Sequence, residues 1–121
     1  MNALILFAHG SRDPAWRQPF EAMLARLRAA SPDTPAALAY LELMEPDFAS
    51  VCAELVAAGA THIRVLPVFL AAGKHLRVDL PELVDAATAA HKRKSLSFTV
   101  LPPVGEHASL QATVVELALR S

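Results

Sequence analysis

The chain has 121 residues, of which 54 % are hydrophobic and 6 % aromatic, and its formal net charge is −1 at pH 7. This length fits one domain, residues 1–121, which can bury about two-thirds of its unfolded surface without help from disulfides. The near-neutral charge argues against a nucleic-acid-binding surface, and the composition is typical of helices packed on a buried sheet.

The N-terminal apolar run covers six residues and is not preceded by a basic segment. We therefore expect neither a signal peptide nor a membrane anchor. The single cysteine, Cys52, falls within an apolar helical pattern and is expected to be a buried, unreactive thiol. These features predict a cytoplasmic protein.

Four apolar runs of strand length are spaced along the chain, at residues 3–8, 36–41, 62–67 and 96–101. The first is continuously apolar, which suits a central strand, whereas the fourth alternates apolar and polar residues, which suits an edge. Segments with helical periodicity separate the runs. This alternation predicts an α/β fold, a three-layer open parallel sheet of about four strands with helices on both faces.

The first helix is predicted to begin after Asp13 and Pro14, an N-cap residue followed by a proline at the first helical position. Its apolar face is expected to contain Trp16, Phe20, Met23, Leu24 and Leu27. The second helix is expected to bury one face, because its apolar residues follow the spacing i, i+3, i+4, i+7, i+8: Phe48, Val51, Cys52, Leu55 and Val56. Gly59 follows this segment and is expected to end the helix. A third helix is predicted over residues 80–91 and a fourth over residues 107–119.

Ligands of open parallel sheets bind at the loops that follow the carboxyl ends of the strands. Four such loops are predicted here, at residues 9–14, 42–46, 67–82 and 102–107. The first carries His9 and the third carries His75. Two imidazoles on separate strand-end loops can converge on one divalent first-row metal ion.

Other polar residues share these loops. Ser11, Arg12, Lys74 and Arg77 are candidate contacts for an anionic ligand, together with backbone N–H groups at helix starts. The third loop also contains an apolar run, Val68 to Ala72, at the open end of the sheet. Together these residues predict a pocket for a metal ion and a flat, apolar, multiply carboxylated ligand.

The acids in the third loop have a simpler interpretation. Asp79 and Glu82 occur in D-L-P-E, where an N-cap residue is followed three positions on by a carboxylate, so both can serve to begin the third helix. His75 would then precede the helix. On this basis we do not predict a shared helical face for His75, Asp79 and Glu82.

Two segments carry a family resemblance. L-F-A-H-G-S-R-D at residues 6–13 and L-P-V-F-L-A-A-G-K-H-L-R-V-D-L-P-E at residues 66–82 resemble the CbiX-type sirohydrochlorin chelatases, the short, half-size class II chelatases; E-L-M-E-P at residues 42–46 is a weaker third match. The resemblance implies a chelatase-like, flavodoxin-like half domain. It also implies a lyase that inserts a divalent metal into sirohydrochlorin without ATP.

Site roles and partners follow from the same resemblance. His9 and His75 match the metal-binding histidines of the family, and the metal, with cobalt expected first, is a substrate rather than a tightly bound cofactor. A homodimer is implied, with the active site built by two subunits. Glu82, or alternatively Glu42, is our candidate proton acceptor, and Glu42 is also grouped with the candidate substrate contacts.

Alternatives remain open at this point. Within the same class, the metal could be iron or nickel instead of cobalt. In another class, the protein could be a non-catalytic carrier of metal or tetrapyrrole. A flavodoxin-like binding domain or a receiver domain is disfavoured, because the first loop lacks a Ser/Thr-rich phosphate cradle and the first strand ends in histidine instead of an acidic pair.

Overall fold

The computed structural model describes residues 1–120 as a four-stranded parallel sheet with helices packed on it. The strands are β1 (Asn2–Ala8), β2 (Ala36–Tyr40), β3 (His62–Pro67) and β4 (Ser97–Val100), and the helices are α1 (Gln18–Ala30), α2 (Phe48–Ala57), α3 (Leu80–Ala90) and α4 (Ala108–Leu119). The sheet order is β2-β1-β3-β4, with every pairing parallel. The predicted fold class is confirmed, as are the central first strand and the edge fourth strand.

The sheet is covered on both faces by separate apolar clusters. On one face, the five apolar residues predicted for α2 are all buried, and α3 adds Leu80 and Ala87. On the other face, α1 packs Phe20, Leu24 and Leu27 against Leu6 and Leu38. Since α1 has no fully buried residue, most of the buried core lies on the α2–α3 side.

Helix starts agree with the sequence in part. Asp13 accepts a hydrogen bond from the Ala15 backbone N–H at 3.0 Å, but the turn it caps is a 3₁₀ turn, Pro14–Arg17, that leads into α1. Met23, predicted on the packing face of α1, is 44 % exposed because it lies at the margin of the stripe formed by Phe20, Leu24 and Leu27. The fourth helix forms as predicted, yet none of its residues is buried.

The third helix begins at residue 80 as predicted, but the segment before it is helical instead of a loop. A π-helical turn, His75–Asp79, runs directly into α3, and Asp79 has helical dihedral angles and makes no capping hydrogen bond. Pro81 has no N–H to donate to the carbonyl of Arg77, so an ordinary α-turn here would lack one hydrogen bond. The interpretation of Asp79 as an N-cap is therefore wrong, and His75 belongs to the helix.

Backbone hydrogen bonds from β1 continue beyond the ends of its two neighbours. The amides of Leu41 and Glu42 donate to the carbonyls of Ala8 and His9 at 2.8 and 3.1 Å, and the amide of Val68 donates to the carbonyl of Phe7 at 2.7 Å. The first residues after β2 and β3 are thus fixed beside the end of β1. This is the edge of the sheet where the sequence concentrates its polar residues.

No helix within residues 1–120 combines the length and the apolar character needed to cross a bilayer.

Gly10 is the residue that allows the first two loops to approach. Its φ is +98°, and a Cβ built there would lie 1.8 Å from the carbonyl oxygen of Glu42. We predict that Gly10→Ala lowers the free energy of unfolding by about 2–4 kcal/mol, because it adds backbone strain and a clash with backbone. Denaturant unfolding followed by circular dichroism measures the change.

Gly73 offers the matched control, because a Cβ added there meets nothing within 4 Å. Gly73→Ala should change the stability by no more than about 0.5 kcal/mol. Equal stabilities for the two variants would contradict the close approach of Gly10 to Glu42.

Candidate functional site

His9 stands immediately after β1 and faces a carboxylate. Its Nδ1 lies 3.0 Å from the carbonyl oxygen of Gly10, which can only accept a hydrogen bond, so Nδ1 carries the proton. Its Nε2 lies 3.3 Å from Oε1 of Glu42. The side chains of His9 and Glu42 are 40 % and 46 % exposed, so both remain accessible to a ligand. The ring nitrogen of His9 that is free of the backbone therefore points toward Glu42.

An aromatic stack supports the His9 ring from the core side. Phe69, in the third loop, packs edge-on against His9 with ring centres 6.1 Å apart and stacks on Phe7 at 6.0 Å. Phe7 in turn contacts Phe48 of α2 edge-on at 5.7 Å. A large, rigid side chain thus limits the rotation of the imidazole. The third loop contributes to His9 through packing, without a hydrogen bond.

His75 begins the π-helical turn and is held by the residue four positions on. Its Nδ1 donates to Oδ2 of Asp79 at 2.9 Å. A carboxylate that accepts from one ring nitrogen fixes the orientation of the ring and leaves the other nitrogen as an electron-pair donor. His75 and Asp79 form the imidazole–carboxylate pair that is common among metal-binding histidines.

The two imidazoles come close together. The ring centres of His9 and His75 lie 5.8 Å apart with an angle of 71° between the ring planes. Because metal–nitrogen bonds are about 2.0–2.1 Å long, two imidazoles on one ion have their ring centres roughly 5–6 Å apart. Within residues 1–120, no group of three or more His, Cys, Asp or Glu side chains is arranged to hold a metal ion. The arrangement is therefore a pair of nitrogen donors with open positions between them.

Carboxylates surround this pair on one side. A cavity of about 360 Å³ is lined by Leu41, Glu42, His75, Asp79, Glu82 and Leu83. His75, Asp79 and Glu82, for which the sequence predicted no shared face, lie on one side of the helical segment, because the π-helical turn His75–Asp79 runs directly into α3. Glu42 reaches the same cavity from the loop after β2. Glu42 thus lies beside His9 and in the cavity that His75 lines, whereas Glu82 shares only the cavity with His75.

The candidate anion contacts are more dispersed. Oγ of Ser11 accepts from the Asp13 backbone amide at 3.1 Å, within the first loop. Arg12 and Lys74 are exposed, each within a few residues of a candidate histidine. Arg77 instead lines a different, apolar groove between α3 and β4. Arg12 and Lys74 are therefore exposed residues near His9 and His75 in the chain, whereas Arg77 lies on the side of the helix that faces the other groove.

Three supporting residues were not found from the sequence. The D-L-P-E pattern favours a helix-start role for Asp79, and its spacing of four from His75 is the signal for the observed contact. Phe69 is one of five consecutive apolar residues in the third loop, and nothing in that run distinguishes it. Gly105 allows the fourth loop to pack on the third, since a Cβ there would lie 1.7 Å from the Leu70 carbonyl oxygen and its amide donates to Phe69 at 3.0 Å. No local pattern predicts that approach.

Comparison with known proteins adds independent findings. The family model CbiX matches residues 3–121. A sirohydrochlorin cobaltochelatase of Methanococcoides burtonii is 27 % identical over 122 residues, covering 96 % of this chain and 93 % of the relative.

Two solved structures have the same fold. A CbiX protein from Marinobacter aquaeolei superimposes with a TM-score of 0.84 at 32 % identity, covering 98 % of this chain and 94 % of the other. The sirohydrochlorin chelatase SirB of Bacillus subtilis subspecies spizizenii, solved in complex with cobalt, gives a TM-score of 0.82 at 28 % identity, and the match covers 95 % of this chain and 48 % of SirB. The chain thus spans nearly the whole of one solved relative and about half of the other.

The contact between His75 and Asp79 gives a test of the imidazole pair. We predict that Asp79→Asn weakens Co²⁺ binding about 10- to 100-fold, because a neutral amide oxygen accepts the ring N–H more weakly than a carboxylate and polarises the ring less. Isothermal titration calorimetry of the purified protein with CoCl₂ measures this. Asp85→Asn, on the same helix but lining the groove beside β4, is the control and should bind Co²⁺ like the unmodified chain. Unchanged affinity in Asp79→Asn would contradict a metal-orienting role for the carboxylate.

Proposed function

The chain belongs to the CbiX family, and from that premise we propose that it is a sirohydrochlorin chelatase. The reaction inserts a divalent metal ion, with cobalt as the first choice, into sirohydrochlorin without ATP. The observation that carries the proposal is the 5.8 Å separation of the His9 and His75 rings beside Glu42 and Glu82. Cobalt is supported by the cobaltochelatase name of a relative that matches over almost its whole length and by the cobalt complex of SirB.

Metal delivery is the first requirement of this chemistry. A hydrated ion must lose water before the nitrogens of a macrocycle can reach it. Neutral imidazole nitrogens from His9 and His75 replace part of the hydration shell, and two donors without a third hold the ion loosely enough to pass it on. Binding the ion displaces any proton from these nitrogens, so entry of the metal and separation of His9 from Glu42 are coupled.

Proton removal is the second requirement, because the macrocycle loses two pyrrole protons when the metal enters. Glu42, 3.3 Å from the metal-binding nitrogen proposed for His9, is placed to take one. Glu82, in the cavity that His75 lines, is placed to take the other. A histidine that has released the metal is a further acceptor. These assignments use only groups that border the proposed metal position.

Substrate orientation is the third requirement. Sirohydrochlorin is a flat macrocycle with carboxylates around its edge, so cations at the rim would hold it with the ring nitrogens over the histidines. We assign this role to Arg12 and Lys74, with the Ser11 hydroxyl as a neutral hydrogen-bond donor, while Arg77 would contact only a carboxylate that extends past α3. Phe69 and Leu70 provide apolar surface for the ring.

We also propose a dimeric assembly and a cytoplasmic location. One half-size domain of residues 1–121 offers a shallow surface for a macrocycle, and we propose that two copies enclose it. The reaction would proceed in the cytoplasm with no tightly bound cofactor, since the metal is a substrate.

Iron or nickel would be accepted by the same imidazoles. Competition between cobalt, nickel and ferrous iron at equal free concentration measures the preference in vitro, whereas the metal supply of the cell sets the physiological product.

The histidines provide the first test. His9→Ala and His75→Ala should each lower the rate of cobalt insertion at least about 100-fold, while the binding of metal-free sirohydrochlorin changes little. The reason is that the two imidazoles bind the metal ion and do not bind the carboxylates of the macrocycle. Absorbance spectra follow insertion and binding separately. The rate must be compared with the spontaneous rate without protein.

His91→Ala is the matched control, since His91 follows the far end of α3. It should retain full activity. Full activity in His9→Ala and His75→Ala would remove both proposed ligands. A wild-type rate equal to the spontaneous one, with tight binding of metal or macrocycle, would identify a carrier instead of an enzyme.

Arg12 provides a test of the rim. Arg12→Ala should weaken sirohydrochlorin binding severalfold at low salt, and the difference from the unmodified protein should shrink as salt rises, because exposed charges are screened. Fluorescence titration at two ionic strengths measures it. Arg26→Ala, an exposed cation on α1, should bind the substrate normally at both. A deficit for Arg12→Ala that does not depend on salt would contradict an electrostatic contact.

A further inference from the structure

The last helix is apolar almost all round and yet uncovered. Eight of the twelve residues of α4 are apolar, and none is buried. Val114, Val115 and Leu117 are 54 %, 58 % and 55 % exposed, and Leu119 is 81 % exposed. A helix with this composition is ordinarily buried on several sides. An exposed apolar surface of this kind marks a contact with another molecule.

The apolar residues of α4 fall into two stripes. With 3.6 residues per turn, Leu110, Val114 and Leu117 lie on one side of the helix, and Ala112, Val115 and Leu119 lie on nearly the opposite side. The first stripe begins against the body of the domain, where Leu110 is half-buried near Leu66. The second stripe faces away from it. A helix with two such stripes fits between two bodies.

The same chain carries an unfilled groove. A groove of about 360 Å³ lies between α3 and β4 with a mostly apolar lining, and its apolar residues include Pro67, Leu76, Leu80, Val84, Val100 and Leu101. None of its lining residues comes from α4. The chain thus presents an apolar helix and an apolar groove that do not meet within one copy.

Each of the two surfaces also carries one cation and one anion. The groove is bordered by Arg77 and Asp85, one cation and one anion on the same helical segment. On α4, Glu116 and Arg120 form an exposed pair at 3.2 Å, again one anion and one cation. Docking of α4 therefore brings no unbalanced charge to the groove.

We propose that α4 docks into the groove between α3 and β4 of a second copy of this chain. Reciprocal exchange fills both grooves and covers both helices, which is the self-complementary contact of a two-fold symmetric dimer. The length of SirB supports this occupant, since this chain matches 48 % of it and the longer chain has a second half attached. The inference rests on the dimer proposed above and assigns the surface that forms it.

The docking also involves the candidate site. α4 follows the fourth loop, in which Gly105 packs on Leu70 and donates to the carbonyl of Phe69. Phe69 is the ring that supports His9. When α4 of one copy docks on a second copy, it therefore also fixes the third loop of its own chain, which packs against the His9 ring.

The first experiment measures mass in solution. Val115→Lys puts a charge in the stripe that faces away from the domain, so it should convert the dimer to a monomer in light scattering and halve the measured mass. Ala29→Lys, on an exposed position of α1, is the control and should remain a dimer. Circular dichroism melts show whether Val115→Lys still folds.

The second experiment detects the contact between subunits without disrupting the dimer. A tagged Val115→Cys protein is mixed with an untagged Val84→Cys protein and oxidised, so that only a contact between subunits gives a mixed disulfide. Cys52 is buried and its pKa is raised to about 12 by desolvation, so it stays unreactive. The mixed disulfide should form in high yield, whereas Ala29→Cys mixed with Val84→Cys should give none.

The outcomes separate this inference from the proposals on which it rests. If Val115→Lys remains a dimer and no mixed disulfide forms, the α4 contact is overturned, and the dimer must form through another surface. A monomeric unmodified protein would overturn both the contact and the dimer. A mixed disulfide in a protein that inserts no metal would uphold the contact and overturn the chelatase proposal. Loss of sirohydrochlorin binding in Val84→Lys without a change in mass would show that the groove holds the macrocycle instead.

Discussion

The candidate site depends on backbone hydrogen bonds that β1 makes beyond the ends of its neighbours. The backbone amide of Glu42 donates to the carbonyl of His9 at 3.1 Å and so holds the second loop against the first. The amide of Val68 donates to the carbonyl of Phe7 at 2.7 Å and holds the start of the third loop against the end of β1. A side-chain contact could rotate away, whereas these bonds continue the sheet and are held by it. Gly10, at a φ of +98°, is what makes the approach sterically allowed.

The two histidines are then held by different means, and the difference suits transfer of a metal ion. His9 is fixed by a backbone carbonyl and by edge-on packing against Phe69, and its free nitrogen lies beside Glu42. His75 is fixed by Asp79 and is more exposed, at 62 %. A closed set of four ligands would retain the ion. Two oriented donors beside carboxylates can accept an ion, release it and take up the protons that it displaces.

Much of the fold was predictable because its signals are local. The continuous apolar run of β1, the alternation of β4 and the regular spacing of the five buried residues of α2 each specify an element and its place in the sheet. The start of α3 at residue 80 agrees with the D-L-P-E pattern, but the π-helical turn His75–Asp79 before it has no local sequence signal and is shown only by the fold. The close approach of Gly105 to Leu70 and the exposure of α4 depend on residues far apart in the chain. The convergence of His9 and His75 followed from strand order, but the partners Asp79 and Phe69 did not.

The claim on which the account depends is that His9 and His75 bind one metal ion together. Anomalous X-ray scattering at the cobalt edge, from crystals of the protein soaked in Co²⁺, locates the ion directly. The account predicts a peak about 2.0–2.3 Å from one ring nitrogen of each histidine, with the contact between His9 and Glu42 opened. A cobalt peak bound to neither histidine, or to only one of them with the other ring unchanged, would contradict it.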